Sequence, residues 1–485
     1  MKHCVIQIAD EVNVKFLGLD VAIRRQLSNR FKYEIPGARF TPAARLGRWD
    51  GKVTFFNLSG TSYINLLPDI MPILEENGYE CELDDQRNYA TDFEFHSVNA
   101  TSFSHKTWNS HHALAGQPIT LRDHQVTVIN KFLSNPQSIQ EIPTGSGKTL
   151  ITAVLSHSVQ CHGRSLIIVP SKSLVTQTLV DYENLGLNVA VYFGDEKQLT
   201  GQHTICTWQS LNILIKTVRA QGHDPDQHDL FKNLVAVIVD ETHQVKAAAL
   251  KTMLSTVLSR VPIRWGLTGT VPKETHDQLS LTCGLGHVID RLTANDLQNQ
   301  GILAHCQVNI LQLVDHKQFA NYQTELKFLL EDPQRLQKIA DLMTDIKDRG
   351  NTLILVDRVA AGQALADLIP EAVFLSGETK TKTRQEQYDE ISETQDKVLV
   401  CTYGIASVGI NIPRIFNLVL VEPGKSFIRV IQSIGRGLRK ASDKDHVMIW
   451  DITSTCKFAK RHLTQRKAYY KEQKYRFDIR PVEYL

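Results

Sequence analysis

From Pro118 to about Gly286 the chain alternates short, continuous apolar runs with longer amphipathic stretches. Leu166-Ile-Ile-Val169, Val235-Ala-Val-Ile-Val239 and Trp265-Gly-Leu267 contain no polar position. A strand with one wet face alternates apolar and polar residues, whereas a strand covered on both faces does not. These runs therefore predict a parallel sheet held between helices. The rhythm then repeats, with Thr352-Leu-Ile-Leu-Val356, Val373-Phe-Leu375, Val398-Leu-Val-Cys401, Leu418-Val-Leu-Val421 and Val447-Met-Ile-Trp450 as strands. Leu326 to Asp348 precedes this second cycle as helical material, interrupted at Pro333, which cannot donate a backbone hydrogen bond. Thr217 to Asn233, mostly polar with Gly222 and Pro225, predicts a surface insertion with His223 and His228 in solvent.

Residues 1 to about 112 follow a different pattern. Val5 to Ile8 and Val53 to Phe56 predict strands and Pro68 to Gly78 a helix, which together make a small mixed α/β unit. Ala100 to Gln117, polar and without periodicity, predicts a linker. The expected organisation is an accessory domain at 1–112, α/β domains at 113–290 and 291–455, and a tail at 456–485.

Composition changes this picture little. A hydrophobic share of 42% and a charged share of 22% are ordinary for a globular protein. The net charge is only +2, so any nucleic-acid surface must be a local patch. The clearest patch is the tail. There Lys457, Lys460, Arg461, Arg466, Lys467, Lys471, Lys474, Arg476 and Arg480 face three acids, with Tyr469, Tyr470 and Tyr475 among them. The tail reads either as a solvated helix packed on the last domain or as a phosphate contact. Eight scattered cysteines without a CxxC pair argue against zinc and suit a reducing cytosol. Asp10 and Glu11 interrupt the N-terminus, so no signal peptide is predicted. No apolar run approaches the ~20 residues needed to cross a bilayer. The expected location is the cytoplasm, and the expected free state is a monomer.

Three motifs carry chemistry. Thr144-Gly-Ser-Gly-Lys-Thr149 follows Pro143 and precedes a helical pattern. Gly145 and Gly147 allow a tight turn whose N–H groups, with that of Ser146, can point at phosphates. Lys148 supplies a cation to the β- and γ-phosphates, and the Thr149 hydroxyl can ligate Mg²⁺. Ile142 stands where the strict phosphate-loop pattern has glycine. Next, the apolar strand Val235 to Val239 ends in Asp240-Glu-Thr-His243. A carboxylate there lies at the ligand-binding end of a parallel sheet, so Asp240 can hold Mg²⁺ and Glu241 can orient or deprotonate water. Last, Gln432-Ser-Ile-Gly-Arg-Gly-Leu-Arg439 places Arg436 and Arg439 on one helical face. Arg436 has no acid within four positions, whereas Arg439 can pair with Asp443. Arg436 is thus the better arginine finger, a group worth ~10³–10⁵ in rate, and salt bridging is the alternative reading.

In this order the motifs resemble the superfamily 2 helicases and translocases over about residues 118 to 455. The resemblance implies two tandem RecA-like parallel-sheet domains behind the small N-terminal α/β accessory domain, an ATP–Mg²⁺ site at the seam of the two, and a nucleic-acid-dependent ATPase. It also assigns roles. Gln125, with Arg122 nearby, looks like the adenine reader. Pro170-Ser-Lys172 and Thr207-Trp-Gln209 resemble two backbone-binding motifs. Thr268-Gly-Thr270 looks like the coupling motif. Ser376-Gly377 resembles a further strand contact, and Thr402 to Pro413, with Gly409, resembles a motif shared by nucleotide and strand. Gln432, Arg436 and Arg439 look like the closing motif. Asn411 stands where the family carries aspartate and receives no catalytic role. The DETH sequence, and the closing motif without its leading histidine, shift the resemblance from DEAD-box RNA helicases toward DNA translocases.

Phe40 to Lys52 resembles the N-terminal domain of the UvsW-type phage recombination helicases, in which a Trp-Asp-Gly turn precedes a strand. Arg45, Arg48 and Trp49, with Arg39 and Lys52, can grip a duplex or branch point, or Trp49 can simply pack on its own turn. The resemblance implies action on branched or forked DNA by branch migration and fork regression, and on RNA–DNA hybrids, in recombination and repair. An RNA helicase and the duplex-translocating motor of a restriction or remodelling complex are the alternatives.

Overall fold

The computed structural model describes every residue except Met1, 88–92, 111–113, 245–246, 273, 348–349, 380, 408–411, 413, 425–444 and 485. The chain folds as two units, residues 1–141 with 147–291, and residues 292–485 with the loop 142–146.

The first unit begins with β1 (Lys2–Ile8), β2 (Asn13–Leu17), α1 (Val21–Arg30), β3 (Lys32–Glu34), α2 (Pro42–Arg45), β4 (Lys52–Thr54), β5 (Thr61–Tyr63), α3 (Leu67–Glu76) and β6 (Tyr79–Asp85). Four of these strands form a mixed sheet, β5-β2-β1-β6, and β3 pairs with β4. Leu27, Phe55, Phe56, Ile70 and Leu74 fill the core of this part, together with Cys283 from far along the chain.

A larger sheet follows. Its elements are α4 (Asp123–Leu133), β7 (Gln137–Glu141), α5 (Lys148–Val159), β8 (Arg164–Val169), α6 (Lys172–Asn184), β9 (Val189–Phe193), β10 (Glu196–Lys197), β11 (His203–Thr207), α7 (Trp208–Ala220), β12 (Leu234–Val239), α8 (Ala247–Ser255), β13 (Ile263–Thr268), α9 (Thr275–Leu285) and β14 (His287–Arg291). The order is β10-β9-β11-β8-β12-β13-β7-β14, parallel throughout except for β10 against β9. The runs free of polar residues lie in the middle, buried on both faces as expected.

Two stretches differ from expectation. Ala100–Gln117 is no bare linker: Phe103 and Trp108 are buried, and the Phe103 ring meets His157 edge-on at 5.0 Å. A few aromatics are enough to anchor a segment whose average composition is polar. In the stretch 217–233, α7 continues to Ala220, and Leu230 and Phe231 join the core beside it; in the turn between, His223 is exposed but Pro225 is buried and His228 is half-buried against the Phe231 ring.

The N-terminal part is built onto α8 and α9. The Glu11 N–H donates to the Ser259 carbonyl at 2.9 Å. The Asn13 amide donates to the Ser255 carbonyl at 3.0 Å, and the Asn65 amide to the Thr282 carbonyl at 3.0 Å. The Lys251 ammonium of α8 lies over the rings of Phe55, at 4.0 Å, and Tyr63, at 4.8 Å.

The second unit holds α10 (Ala294–Asn299), β15 (His305–Leu313), α11 (Tyr322–Glu331), α12 (Pro333–Lys347), β16 (Thr352–Val356), α13 (Val359–Leu368), β17 (Val373–Leu375), α14 (Thr381–Glu393), β18 (Val398–Thr402), α15 (Tyr403–Ser407), β19 (Asn417–Val421), β20 (His446–Ser454), α16 (Lys457–Glu472) and β21 (Arg476–Val482). Its sheet is parallel, in the order β17-β18-β16-β19-β20-β15-β21. Pro333 opens α12, and the Asp332 carboxylate accepts from the Arg335 N–H one turn on.

The residues read as a basic tail are part of this sheet. β21 pairs with β15, and Leu463, Tyr469, Tyr470 and Tyr475 enter the core on one face. Arg466 is buried. Its guanidinium grips the Asp451 carboxylate at 2.8 and 2.9 Å, and the Tyr470 hydroxyl donates to the same carboxylate at 2.8 Å. Lys457, Lys460, Arg461, Lys471 and Lys474 remain exposed.

Candidate ATP site

Parallel packing gathers the motifs of the first unit. Three loops leave the C-terminal ends of β7, β13 and β12, which are consecutive in the sheet. They carry Thr144–Thr149, Thr268–Thr270 and Asp240–His243 respectively.

The loop after β7 turns where the glycines predict. Gly145 (φ 90°) and Gly147 (φ 84°) are left-handed. At 147 a Cβ would also collide with the Gln125 side-chain amide. The Ser146 hydroxyl donates to the Pro143 carbonyl at 2.9 Å, which tightens the turn. Lys148 is the first residue of α5, so its N–H and those beside it form a helix N-terminus suited to phosphate.

The Lys148 ammonium lies 2.9 Å from one Glu241 carboxylate oxygen. The other oxygen accepts from the Gly269 N–H at 3.3 Å and lies 3.5 Å from His243 Nδ1. His243 Nδ1 also meets the Thr268 hydroxyl at 2.6 Å, and that hydroxyl donates to the Thr270 carbonyl at 2.8 Å. The DETH residues and Thr268–Thr270 therefore form one polar cluster. Glu241 itself is left-handed (φ 51°), a conformation that side chains other than glycine rarely adopt.

The two adjacent carboxylates are perturbed in opposite directions. Burial and the neighbouring Glu241 charge push Asp240 well above the ordinary carboxylate range. Burial would also raise Glu241, but the charges of Lys148 and His243 outweigh it and hold Glu241 low. A buried carboxylate under this strain is one that a cation would relieve. Among the described residues no group of three or more His, Cys, Asp or Glu could hold a metal by itself. A hydroxyl and one carboxylate, completed by phosphate oxygens and water, is the donor set Mg²⁺ takes in nucleotide sites, so Thr149 and Asp240 fit it.

Gln125 is buried, and its Oε1 accepts from the Arg122 N–H at 2.9 Å across the first turn of α4. The Arg122 side chain is exposed. The Thr149 hydroxyl donates to the Asp181 carboxylate of α6. Asp181 was not among the residues singled out in the sequence, because its partner lies 32 positions away and nothing local marks it.

The residues expected to contact a nucleic-acid strand fall into separate groups. Ser171 caps α6, and half-buried Pro170 and exposed Lys172 flank it. Thr207 caps α7, followed by half-buried Trp208 and exposed Gln209. The Gln209 amide donates to the Pro170 carbonyl at 3.4 Å, so these two motifs meet at the ends of neighbouring strands β8 and β11. In the second unit Ser376 and Thr402 end the paired strands β17 and β18, with Gly377 exposed beside Ser376. Arg45 and Arg48 are exposed on the segment between β3 and β4. Trp49 is half-buried and donates through its indole N–H to the Lys52 carbonyl at 2.8 Å, closing the Trp-Asp-Gly turn. Gly409, Asn411, Gln432, Arg436 and Arg439 lie outside the described residues.

Residues 118–273 match the family described as type III restriction enzyme, res subunit. Residues 334–441 match the helicase conserved C-terminal domain. The ATP-dependent DNA helicase uvsW of Enterobacteria phage T4 is 25% identical over 468 residues, spanning 92% of this chain and 89% of that one. The crystal structure of T4 UvsW aligns over 100% of both chains at 21% identity with a TM-score of 0.47. The ATP-dependent Type ISP restriction-modification enzyme LlaBIII, bound to DNA, shares the fold with a TM-score of 0.56 at 14% identity, over 85% of this chain and 34% of that one.

Proposed function

We propose, for a chain that belongs to the superfamily 2 helicases and uses ATP through their two RecA-like domains, a motor that steps along DNA and remodels branched or forked structures, with RNA–DNA hybrids as a second substrate. The observation that carries the ATP site is the Lys148–Glu241 pair beside buried Asp240, at the C-terminal end of a parallel sheet.

In this reading the loop N–H groups and Lys148 take the phosphates, and the adenine lies toward Gln125 and Arg122. Phosphate competes with Glu241 for the Lys148 ammonium. Glu241, released from Lys148 but still facing His243 and the Gly269 N–H, is then free to orient or deprotonate the attacking water. Thr149 and Asp240 would hold Mg²⁺, which would supply charge neutralisation on the phosphate oxygens. Arg436 acts as the finger, with Arg439 beside it, and Gly409 and Gln432 complete the site; these assignments rest on the sequence motif. The His243–Thr268 contact offers a route by which a change at the γ-phosphate reaches Gly269 and Thr270. Pro170–Lys172, Thr207–Gln209, Ser376–Gly377 and Thr402 hold the strand backbone. Arg45, Arg48 and Trp49 meet the branch. The preference for DNA draws on the likeness, along most of the chain, to the phage DNA helicase, and that for branches on the resemblance of the Trp49 segment and its exposed arginines.

Strand displacement on forked and four-way DNA, with RNA duplexes as control, tests the reading. Displacement of the DNA substrates and loss of ATPase in Lys148→Ala are expected. Unwinding of RNA alone, or DNA-stimulated ATPase without displacement, would replace it with an RNA helicase or a translocating motor. Wild-type turnover in Lys148→Ala would remove the site.

A further inference from the structure

Helix α6 touches two functional regions at once. It opens at the Ser171 cap and Lys172, residues assigned to the strand backbone. About ten residues on, a rise of ~15 Å at ~1.5 Å per residue, its Asp181 accepts a hydrogen bond from the Thr149 hydroxyl. The next residue, Tyr182, is fully buried. Its hydroxyl pairs with Ser156 Oγ at 2.7 Å and donates to the Thr152 carbonyl at 3.1 Å. Helix α6 thus holds α5 at Thr149, Thr152 and Ser156, which line one face at i, i+3 and i+7. The chain of contacts continues from Ser156 to Ser165 at 3.1 Å and on to His203 Nδ1 at 2.8 Å, on the strand that ends at Thr207.

A threonine hydroxyl carries one proton and two lone pairs. When its oxygen ligates a cation, the proton needs an acceptor pointing elsewhere. A carboxylate is the strongest neighbour for that role: it fixes the hydroxyl rotor, directs a lone pair away from itself and enriches the oxygen as a donor. The α6 residue that follows it, Tyr182, already ties the two helices together at Thr152 and Ser156. Asp181 bonds the residue fitted to hold the metal.

We propose that Asp181 is a positioning residue for the Mg²⁺ ligand Thr149, and that because it rides on the helix opening at Ser171 and Lys172, a nucleic-acid strand bound there is felt at the metal ligand. The inference rests on the ATP-site reading above.

The test uses the full chain, a fluorescent ADP analogue and a Mg²⁺ titration, read by fluorescence anisotropy. In Asp181→Ala the Mg²⁺ concentration for half-maximal binding should rise about tenfold, within the range lost when an outer-shell partner of a metal ligand is removed. Asp181→Asn, whose amide oxygen still accepts, should rise about threefold, and it carries the test if the alanine variant folds poorly. Binding in EDTA should match wild type in both. In a Thr149→Ala background, Asp181→Ala should add nothing further. A saturating single-stranded oligonucleotide should shift the wild-type half-point but not that of Asp181→Ala. An unchanged half-point in both Asp181 variants, while Thr149→Ala moves it, overturns the inference alone. An equal loss of binding in EDTA reduces Asp181 to a structural tie and also overturns it. A preserved oligonucleotide effect overturns the coupling. If wild-type binding ignores Mg²⁺, the ATP-site reading fails first.

Discussion

Glu241 sits in a left-handed conformation that costs ~1–3 kcal/mol, and the surroundings compel it. Its carboxylate is shared among Lys148, the Gly269 N–H and His243. Glu241→Gln keeps the shape and an acceptor for Gly269 but removes the charge. Turnover should fall ~10²–10⁴-fold, the usual worth of a positioned general base, while nucleotide affinity is kept or rises, because the carboxylate no longer competes for Lys148. Single-turnover hydrolysis beside equilibrium binding separates the two, and a turnover near wild type would take water activation away from Glu241. A second residue-scale expectation concerns pH. Burial, and then the nearby His157, push the His203 imidazole down to about 4. Its Nε2 has no partner among the described residues, so a proton added there would be buried unpaired. Unfolded, a histidine titrates near 6.5. Between these values the unfolded chain binds more protons. The stabilisation is therefore complete above pH 6.5 and drains away as pH falls toward 4, by about 2 kcal/mol between pH 7 and 5. Amide exchange of β8 and β11 should report this loss in the wild type. It should be absent in His203→Asn, and parallel slopes would refute the assignment.

At the scale of elements, β21 forms one edge of the second sheet and α16 packs on one of its faces. Truncation after Thr455 would strip β15 of one of its two neighbouring strands and remove Leu463, Tyr469, Tyr470 and Tyr475 from the core. It would also leave Asp451 buried without Arg466. Losing one member of a buried ion pair costs ~3–5 kcal/mol. The truncated chain should be insoluble, and Arg466→Ala in the full chain should lower the urea midpoint of the second unit steeply, with Arg466→Lys intermediate. A soluble, cooperatively melting truncation would mean that these residues are an appendage after all. Their role was hard to read from the sequence for physical reasons. Central strands such as Leu234–Val239 announce themselves because both faces are dry. Edge strand β21 reads Arg-Phe-Asp-Ile-Arg-Pro-Val, polar and broken by Pro481, as an edge should be. Arg466 hides in a run of exposed cations, and only its place on the α16 face that carries Ala459, Leu463 and Tyr470 sets it apart. The phosphate loop and the DETH carboxylates were legible because their chemistry is local in sequence. Asp181 and the Tyr182 hydroxyl act only across α5 and α6, and no spacing rule reaches them.

For the whole molecule, a net charge of +2 leaves long-range attraction weak, so contacts between parts rest on packing. The N-terminal part illustrates this. Phe55 is fully buried in a core that includes Cys283 of α9, and its ring lies under the Lys251 ammonium of α8. Helix α8 is the first α-helix after the DETH residues, so the N-terminal part packs on the element that follows the candidate ATP site. If the two share one cooperative core, Phe55→Ala, a change that typically costs ~3–5 kcal/mol, must loosen both. Amide protection should fall in α8 and α9 as much as in β1 and β2, and the loss should be insensitive to salt, since the contact is apolar and desolvated rather than an exposed ion pair. Removing residues 1–112 altogether should leave a chain that melts lower than the intact protein, with Cys283 open to thiol reagents. Were the N-terminal part an independent module on a tether, Phe55→Ala would release protection in β1 and β2 alone, and the shortened chain would melt where the intact motor does. The shared core predicts the opposite on both counts, and it makes α8 the path by which a load on the N-terminal part would reach Asp240 and Glu241.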